Sequence, residues 1–222
     1  MRVISAGRLP ASERHNPRYV GPWIDWALAP AGAYLCFEDE AGQNLRPPKA
    51  RTWAPRGRTP IVRVSGKGSG RVSVAGLACY RPGARSRLFY RARVHRGRNG
   101  ERRSMSEADY AGLVTAAHNQ LHAPVILIWD NLNTHISAAM RRFIEAHPDW
   151  LTETRLPAYA PDLNAVEGVW ANMKNGLGNL AAADADQLTA IIKNGLKSIQ
   201  YRPALIDAFL AQTGLTLEPQ PP

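Results

Sequence analysis

The 222-residue chain has little of what marks several protein classes. Two cysteines, Cys36 and Cys79, are too few for a disulfide scaffold or a cysteine-rich zinc site. No apolar run approaches the roughly 18 residues needed to span a bilayer, and residues 1–8 carry no signal-peptide core. Glycine has no fixed period, and a hydrophobic content of 45% speaks against both collagen-like repeats and intrinsic disorder. Nucleotide-loop and hydrolase signatures are missing as well. Gly66-Lys-Gly-Ser-Gly70 lacks the phosphate-loop spacing, and no Gly-x-Ser-x-Gly elbow occurs. His118 and His122 lack the glutamate and third ligand of a zinc protease. The expectation is a soluble, cytoplasmic globular protein, one domain with short appendages.

Positive charge is abundant and unevenly placed. The formal net charge is +10. Residues 1–105 hold 21 Lys/Arg against 6 Asp/Glu, whereas residues 106–222 hold 7 against 12. Residues 46–103 alone carry 17 basic side chains and one acid, Glu101. Most are arginines, whose planar fork suits phosphate oxygens. A basic field on one segment of a globular chain is the footprint of a polyanion partner, nucleic acid first.

The pattern along the chain predicts a mixed α/β layer fold. Residues 1–33 are a lead-in interrupted by Pro10, Pro17, Pro22 and Pro30. Short strands are expected over 34–39, 61–64, 71–80 and 88–94, with 65–70 as a hairpin loop. Ser106 and Asp109 have the spacing of a helix cap, leading into a helix to about His122. Pro124-Val-Ile-Leu-Ile-Trp-Asp130 is an apolar run typical of a strand buried on both faces. Helices over 137–147, 163–177, 184–199 and 203–213 and a strand over 152–156 follow, and residues 216–222 form a Pro-rich tail.

Three acids sit where acids are awkward. Asp39 ends the first apolar strand, Asp130 ends the most hydrophobic one, and Glu167 lies early in a helix. A carboxylate at the end of a buried strand is costly unless paired. Divalent cations such as Mg²⁺ or Mn²⁺ suit such oxygens, and strand ends in α/β sheets are where ligands collect. The plainer alternatives are that Asp130 caps the turn after it and Asp39 pairs with an arginine. Glu38 and Glu40 flank Asp39 and, by strand alternation, point away from it.

Four segments then occur in order: Phe37-Glu-Asp-Glu40; Arg51-Thr-Trp-Ala-Pro-Arg-Gly57 with Pro60; Trp129-Asp-Asn-Leu-Asn-Thr-His135; and Leu156-Pro-Ala-Tyr-Ala-Pro-Asp-Leu-Asn-Ala-Val-Glu-Gly-Val-Trp170 with Lys174. Together they resemble the catalytic domain of DDE transposases of the mariner superfamily, in its bacterial insertion-sequence branch, over about residues 34–200. Between Asp130 and Glu167 lie 36 residues, close to the family's usual separation.

The resemblance implies a ribonuclease H-like fold over residues 34–215, with three antiparallel strands followed by two parallel ones. It implies Asp39, Asp130 and Glu167 as catalytic, metal-binding residues holding two Mg²⁺ or Mn²⁺ ions. The implied reaction is DNA strand cleavage by water, followed by attack of the freed 3′-hydroxyl on target DNA, usually at TA. Double-stranded DNA is the implied partner, with a homodimer for pairing two ends and a nucleoid-associated location. Arg51, Trp53, Arg56, Arg58, Asn131, His135 and Lys174 are the candidate DNA contacts; Asn131 and His135 have orientation of Asp130 as the other option. Full-length relatives carry N-terminal helix-turn-helix domains. Only 38 residues precede Asp39 here and no recognition helix is evident, which points to a separate helix-turn-helix partner or to an inactive remnant that only binds DNA. Ala165 stands where the family commonly has proline. A nuclease of RNA–DNA hybrids fits the fold but not the other motifs.

Overall fold

Tyr34 to Phe37 is a continuous apolar run, and the strand it starts is buried through Glu38, as a strand with neighbours on both edges must be. The computed structural model describes residues 2–5, 30–48, 53–58, 61, 70–102, 104–157, 160–180 and 182–218. Its elements run β1 (Arg2–Ser5), β2 (Tyr34–Asn44), β3 (Arg71–Tyr80), β4 (Arg87–His95), α1 (Glu107–Leu121), β5 (Val125–Trp129), α2 (Ala138–Glu145) and β6 (Leu151–Arg155). They continue with α3 (Val166–Gly176), α4 (Ala185–Gln200), α5 (Pro203–Gln212) and β7 (Leu215–Glu218).

Five strands form one open mixed sheet in the order β4-β3-β2-β5-β6. β2, β3 and β4 are an antiparallel meander, and β5 and β6 add in parallel on the other side of β2. This is the ribonuclease H-like arrangement expected from the sequence.

Alternation along the strands builds two cores. Leu35, Phe37, Ile126 and Ile128 face α3, α4 and α5, while Tyr34, Cys36, Leu127 and Trp129 face α1 and α2. Caps set the helix starts. Ser106 and Asp109 form a reciprocal capping box at α1, and Asp184 accepts from the Gln187 amide at 2.7 Å at the start of α4. Each satisfies backbone donors that a helix leaves orphaned.

The structure differs from expectation in a few places. β2 runs on to Asn44, carrying all three acids of its Glu-Asp-Glu within the strand. The last long motif opens as a 3₁₀ turn, Pro161–Leu163, and the helix begins at Val166. β1 pairs with β7 as a separate two-stranded ribbon, joining part of the expected lead-in to the start of the expected tail; strands this short leave little pattern in sequence. Of the strand expected over 61–64 and the loop expected over 65–70, all but Ile61 and Gly70 lie outside the described residues. Among the described residues no helix is long and apolar enough to cross a membrane.

Candidate active site

Two neighbouring parallel strands carry the first two acids just past the end of their mutual pairing. The β2–β5 register pairs Phe37 with Ile128. Two residues beyond that last pair, Asp39 lies within β2 and Asp130 follows the final residue of β5, one strand across.

Asp39 lies on the α3 side. Its Oδ1 accepts the Glu40 backbone amide and its Oδ2 accepts the Trp170 indole N–H, each at 2.9 Å. The ring reaches it because Asp39's antiparallel partner is Gly76. A Cβ there would stand 2.7 Å from Trp170 Cη2. Asn164 sets the start of α3. Its Nδ2 donates to the Glu38 carbonyl at 3.1 Å and its Oδ1 accepts the Val166 amide at 3.1 Å. This clamp ties the helix bearing Glu167 to the backbone next to Asp39. Burial, then the charge of Glu167 and then that of Glu38 push the Asp39 carboxyl up to about 7. Neither Asp39 nor Glu167 forms an ion pair with a basic side chain among the described residues.

Asp130 is held from the opposite side. Its Oδ1 accepts the Leu132 amide and lies 2.9 Å from His135 Nδ1, so it does cap the turn after β5. His135 Nε2 in turn lies 3.1 Å from Glu38 Oε2, and both side chains are buried, at 1% and 0% exposure. The imidazole stacks on Trp129 (centroids 4.3 Å, 8°) and meets Tyr110 edge-on. Burial pulls the His135 pKa down, but Asp130 and then Glu38 outweigh it and push it up to about 9. The hydrogen bond with His135 holds the Asp130 carboxyl below its usual range, against partial burial. Burial raises Glu38, with His135 opposing. Glu40 points the same way as Glu38 and accepts from Tyr110 Oη at 2.6 Å. Both flanking acids thus turn away from Asp39, as alternation requires.

The structure therefore ties the helix that bears the exposed Glu167 to the strand that bears Asp39 and sets Asp130 one strand across. Among the described residues no three His, Cys, Asp or Glu side chains close into a metal-ion cluster. Of the candidate DNA contacts, Trp53, Arg56 and Arg58 are exposed, Trp53 completely. Lys174 is exposed on α3, and Asn131 is exposed with its Nδ2 donating to the Leu156 carbonyl at 3.2 Å. His135 is buried and offers DNA no surface. Arg51 lies outside the described residues.

Several of the arginines are already engaged. Arg93 pairs with the buried Asp109 at 2.7 Å, with Arg91 alongside at 3.8 Å, and Arg96 pairs with Asp186. Sequence reasoning did not assign Trp170 and Asn164 as supports of the site. Trp170 is also a core residue, 1% exposed, and Asn164 was visible only as part of the Pro-Asp-Leu-Asn stretch.

Comparison with known proteins places the chain in a class. It belongs to the DDE superfamily endonucleases, whose family model matches residues 34–189. Its fold is similar to that of the mariner Mos1 paired-end complex with Mg, at TM-score 0.50 and 18% identity over 83% of this chain and 56% of that one. The Mos1 paired-end complex with the left transposon end matches at TM-score 0.48 and 16% identity, over 81% of this chain and 55% of that one. The isolated Mos1 catalytic domain matches at 0.42 and 16% identity, over 83% and 84%. The chain thus spans little more than half the length of the complexed Mos1 chains. No curated protein sequence matches it.

Proposed function

We propose that this chain is the catalytic domain of an insertion-sequence transposase that cuts DNA strands and joins the freed ends to target DNA. The observation that carries the reading is the placing of Asp39 on β2, one strand from Asp130 and tied through Trp170 and the Asn164 clamp to the helix that bears Glu167, with no basic ion-pair partner for Asp39 or Glu167 among the described residues. Carboxylates gathered without a basic partner call for a cation. The donor set is purely carboxylate, which fits Mg²⁺ or Mn²⁺ and does not fit a soft metal. Asp39, Asp130 and Glu167 would hold two such ions. When bound, the ions supply charge neutralisation at the phosphodiester and a lowered pKa for the attacking water or 3′-hydroxyl.

The chain's own residues do the rest. Trp170 and the Glu40 amide fix both oxygens of Asp39, and Asn164 fixes the helix start that carries Glu167. Positioning of this kind is what phosphoryl transfer chiefly needs, since the protein forms no covalent bond to the phosphate. The exposed Arg56, Arg58 and Lys174, with Trp53 and Asn131, would hold DNA by its backbone, which sets register without reading sequence.

In this reading residues 34–215 are the catalytic unit, with residues 1–33 as lead-in and 216–222 as tail. Its partners are the element's ends and a target, TA by preference, with pairing of two ends by a homodimer. End recognition comes from a helix-turn-helix chain, and the place of action is the bacterial nucleoid. That a fold-similar structure is a mariner paired-end complex with Mg supports both the DNA and the metal.

The test is nicking of a labelled duplex with Mn²⁺ at low salt by the chain and its Asp130→Ala and Glu167→Ala variants. Metal-dependent nicking is expected, falling at least about 100-fold in each variant, because even partners outside the ligand shell cost 10–100-fold. Nicking retained in both variants would overturn the assignment of the acids. Salt-sensitive binding with no nicking under either metal would instead favour a DNA-binding remnant.

A further inference from the structure

Asp130 is exposed, yet its carboxylate is held elaborately from behind. Asp130 follows the last residue of β5, with its side chain 54% exposed, so nothing in the sheet itself fixes its rotamer. His135 reaches back from the turn five residues later and meets Oδ1 at 2.9 Å. The imidazole has no freedom of its own. Trp129 lies flat against one face, Tyr110 abuts it edge-on, and Glu38 takes the far nitrogen at 3.1 Å.

Glu38 is fully buried, and neither of its oxygens has a hydrogen bond of good geometry. A buried carboxylate kept in that state is costly, and its sole ion-pair partner among the described residues is this ring. Packing alone does not require such an arrangement, since an apolar residue at position 38 would fill the same core facing Cys36 and Trp129.

We propose that His135 is a positioning residue for Asp130, clamped by Glu38 so that Nδ1, together with the Leu132 amide, ties Oδ1 and leaves Oδ2 to a metal ion. This rests on the reading of Asp130 as a metal ligand. Ligating carboxylates are commonly oriented by such outer partners, whose loss weakens metal binding about 10–100-fold. His135 touches neither DNA nor the reacting atoms in this scheme; it acts through Asp130.

Two substitutions separate the tie from the packing. His135→Asn places an amide N–H where Nδ1 stands, keeping the donor to Asp130. His135→Gln places it at the far nitrogen, keeping the link to Glu38 and losing the donor. Both remove the ring from Trp129 equally. Mn²⁺ affinity of the full chain would be followed by electron paramagnetic resonance, with circular dichroism for the fold and DNA binding in EDTA as a second control. The expected result is Mn²⁺ binding weakened about 10–100-fold in His135→Gln but kept within about threefold in His135→Asn, with DNA binding unmoved. Equal weakening in both variants, or none in either, would overturn the proposal. If His135→Gln does not fold, His135→Phe, which keeps the stack and removes both nitrogens, takes its place with the same expectation. Asp130→Asn is run beside them. If it is weakened while the His135 variants behave alike, the positioning role alone falls. If Asp130→Asn binds Mn²⁺ as tightly as the parent, the metal reading itself falls.

Discussion

Asp109 shows how one side chain serves local and long-range structure together. It caps α1 through Ser106 and receives Arg93 from β4, so helix and sheet edge meet on one carboxylate. Burial raises its pKa, but the Ser106 bonds and Arg93 outweigh it and hold the group at about 2. Because the folded group titrates below its unfolded value of 3.8, its stabilisation is present in full above about pH 4. It is lost as the pH falls toward 2. That shift corresponds to roughly 2 kcal/mol. Asp109→Asn is expected to lose about that much at pH 7 and nearly nothing at pH 2, read from urea unfolding at the two pH values. The capping role was legible from the Ser106–Asp109 spacing. The pairing with Arg93 was not, because β4 meets α1 only in the fold.

At the scale of elements, the site depends on how closely α3 approaches the sheet. Gly76 on β3 leaves the space in which the Trp170 ring lies. Gly168 on α3 leaves space for Phe209 of α5, with a Cβ there 2.6 Å from Phe209 Cδ1. Both are places where a methyl group would force packed rings apart, at about 1–3 kcal/mol each. Their consequences should differ. Gly76→Ala displaces the indole that donates to Asp39 and is expected to lower nicking at least tenfold beyond its loss of stability. Gly168→Ala is expected to cost similar stability and keep most of the nicking. Urea unfolding and nicking of the same two variants check this. If both lose nicking in proportion to stability, the Trp170–Asp39 bond has no separate role. Helix starts at Ser106, Ser137 and Asp184 could be read from local chemistry, since a cap involves residues three apart. The Trp170–Asp39 bond spans 131 positions, and no local pattern encodes it.

For the whole molecule, the +10 charge divides into arginines that hold the fold and arginines that face outward. Arg93 and Arg96 are paired within the fold, whereas Arg56 and Arg58 are exposed and in no ion pair among the described residues. Only the second kind releases counterions on meeting DNA. The double variant Arg56→Ala/Arg58→Ala is expected to reduce the slope of log K against log salt by about two, while Arg93→Ala leaves it within error and lowers stability instead. Fluorescence anisotropy with a duplex across a salt series measures the first, and thermal melting the second. An unchanged slope in the double variant would remove that loop from the DNA-contacting surface.

The sequence by itself determined the order of the five main-sheet strands and of the helices, β1 and β7 apart, because apolar periodicity and caps act within a few residues. It also showed that Asp130 closes the most apolar strand, since an acid closing an apolar run shows in the run itself; it did not show that β2 continues past Asp39 to Asn44, because that extension is held by pairing with β3. The alternation that turns Glu38 and Glu40 away from Asp39 follows from the period of two in any strand. Only the tertiary structure decided what those acids meet. Gly76 admits Trp170 to Asp39, Asn164 ties α3 to β2, and His135 is enclosed between Glu38 and Asp130. Each of these joins residues brought together by sheet order and helix packing, and hydrogen bonds made across that distance leave no spacing for a sequence to display.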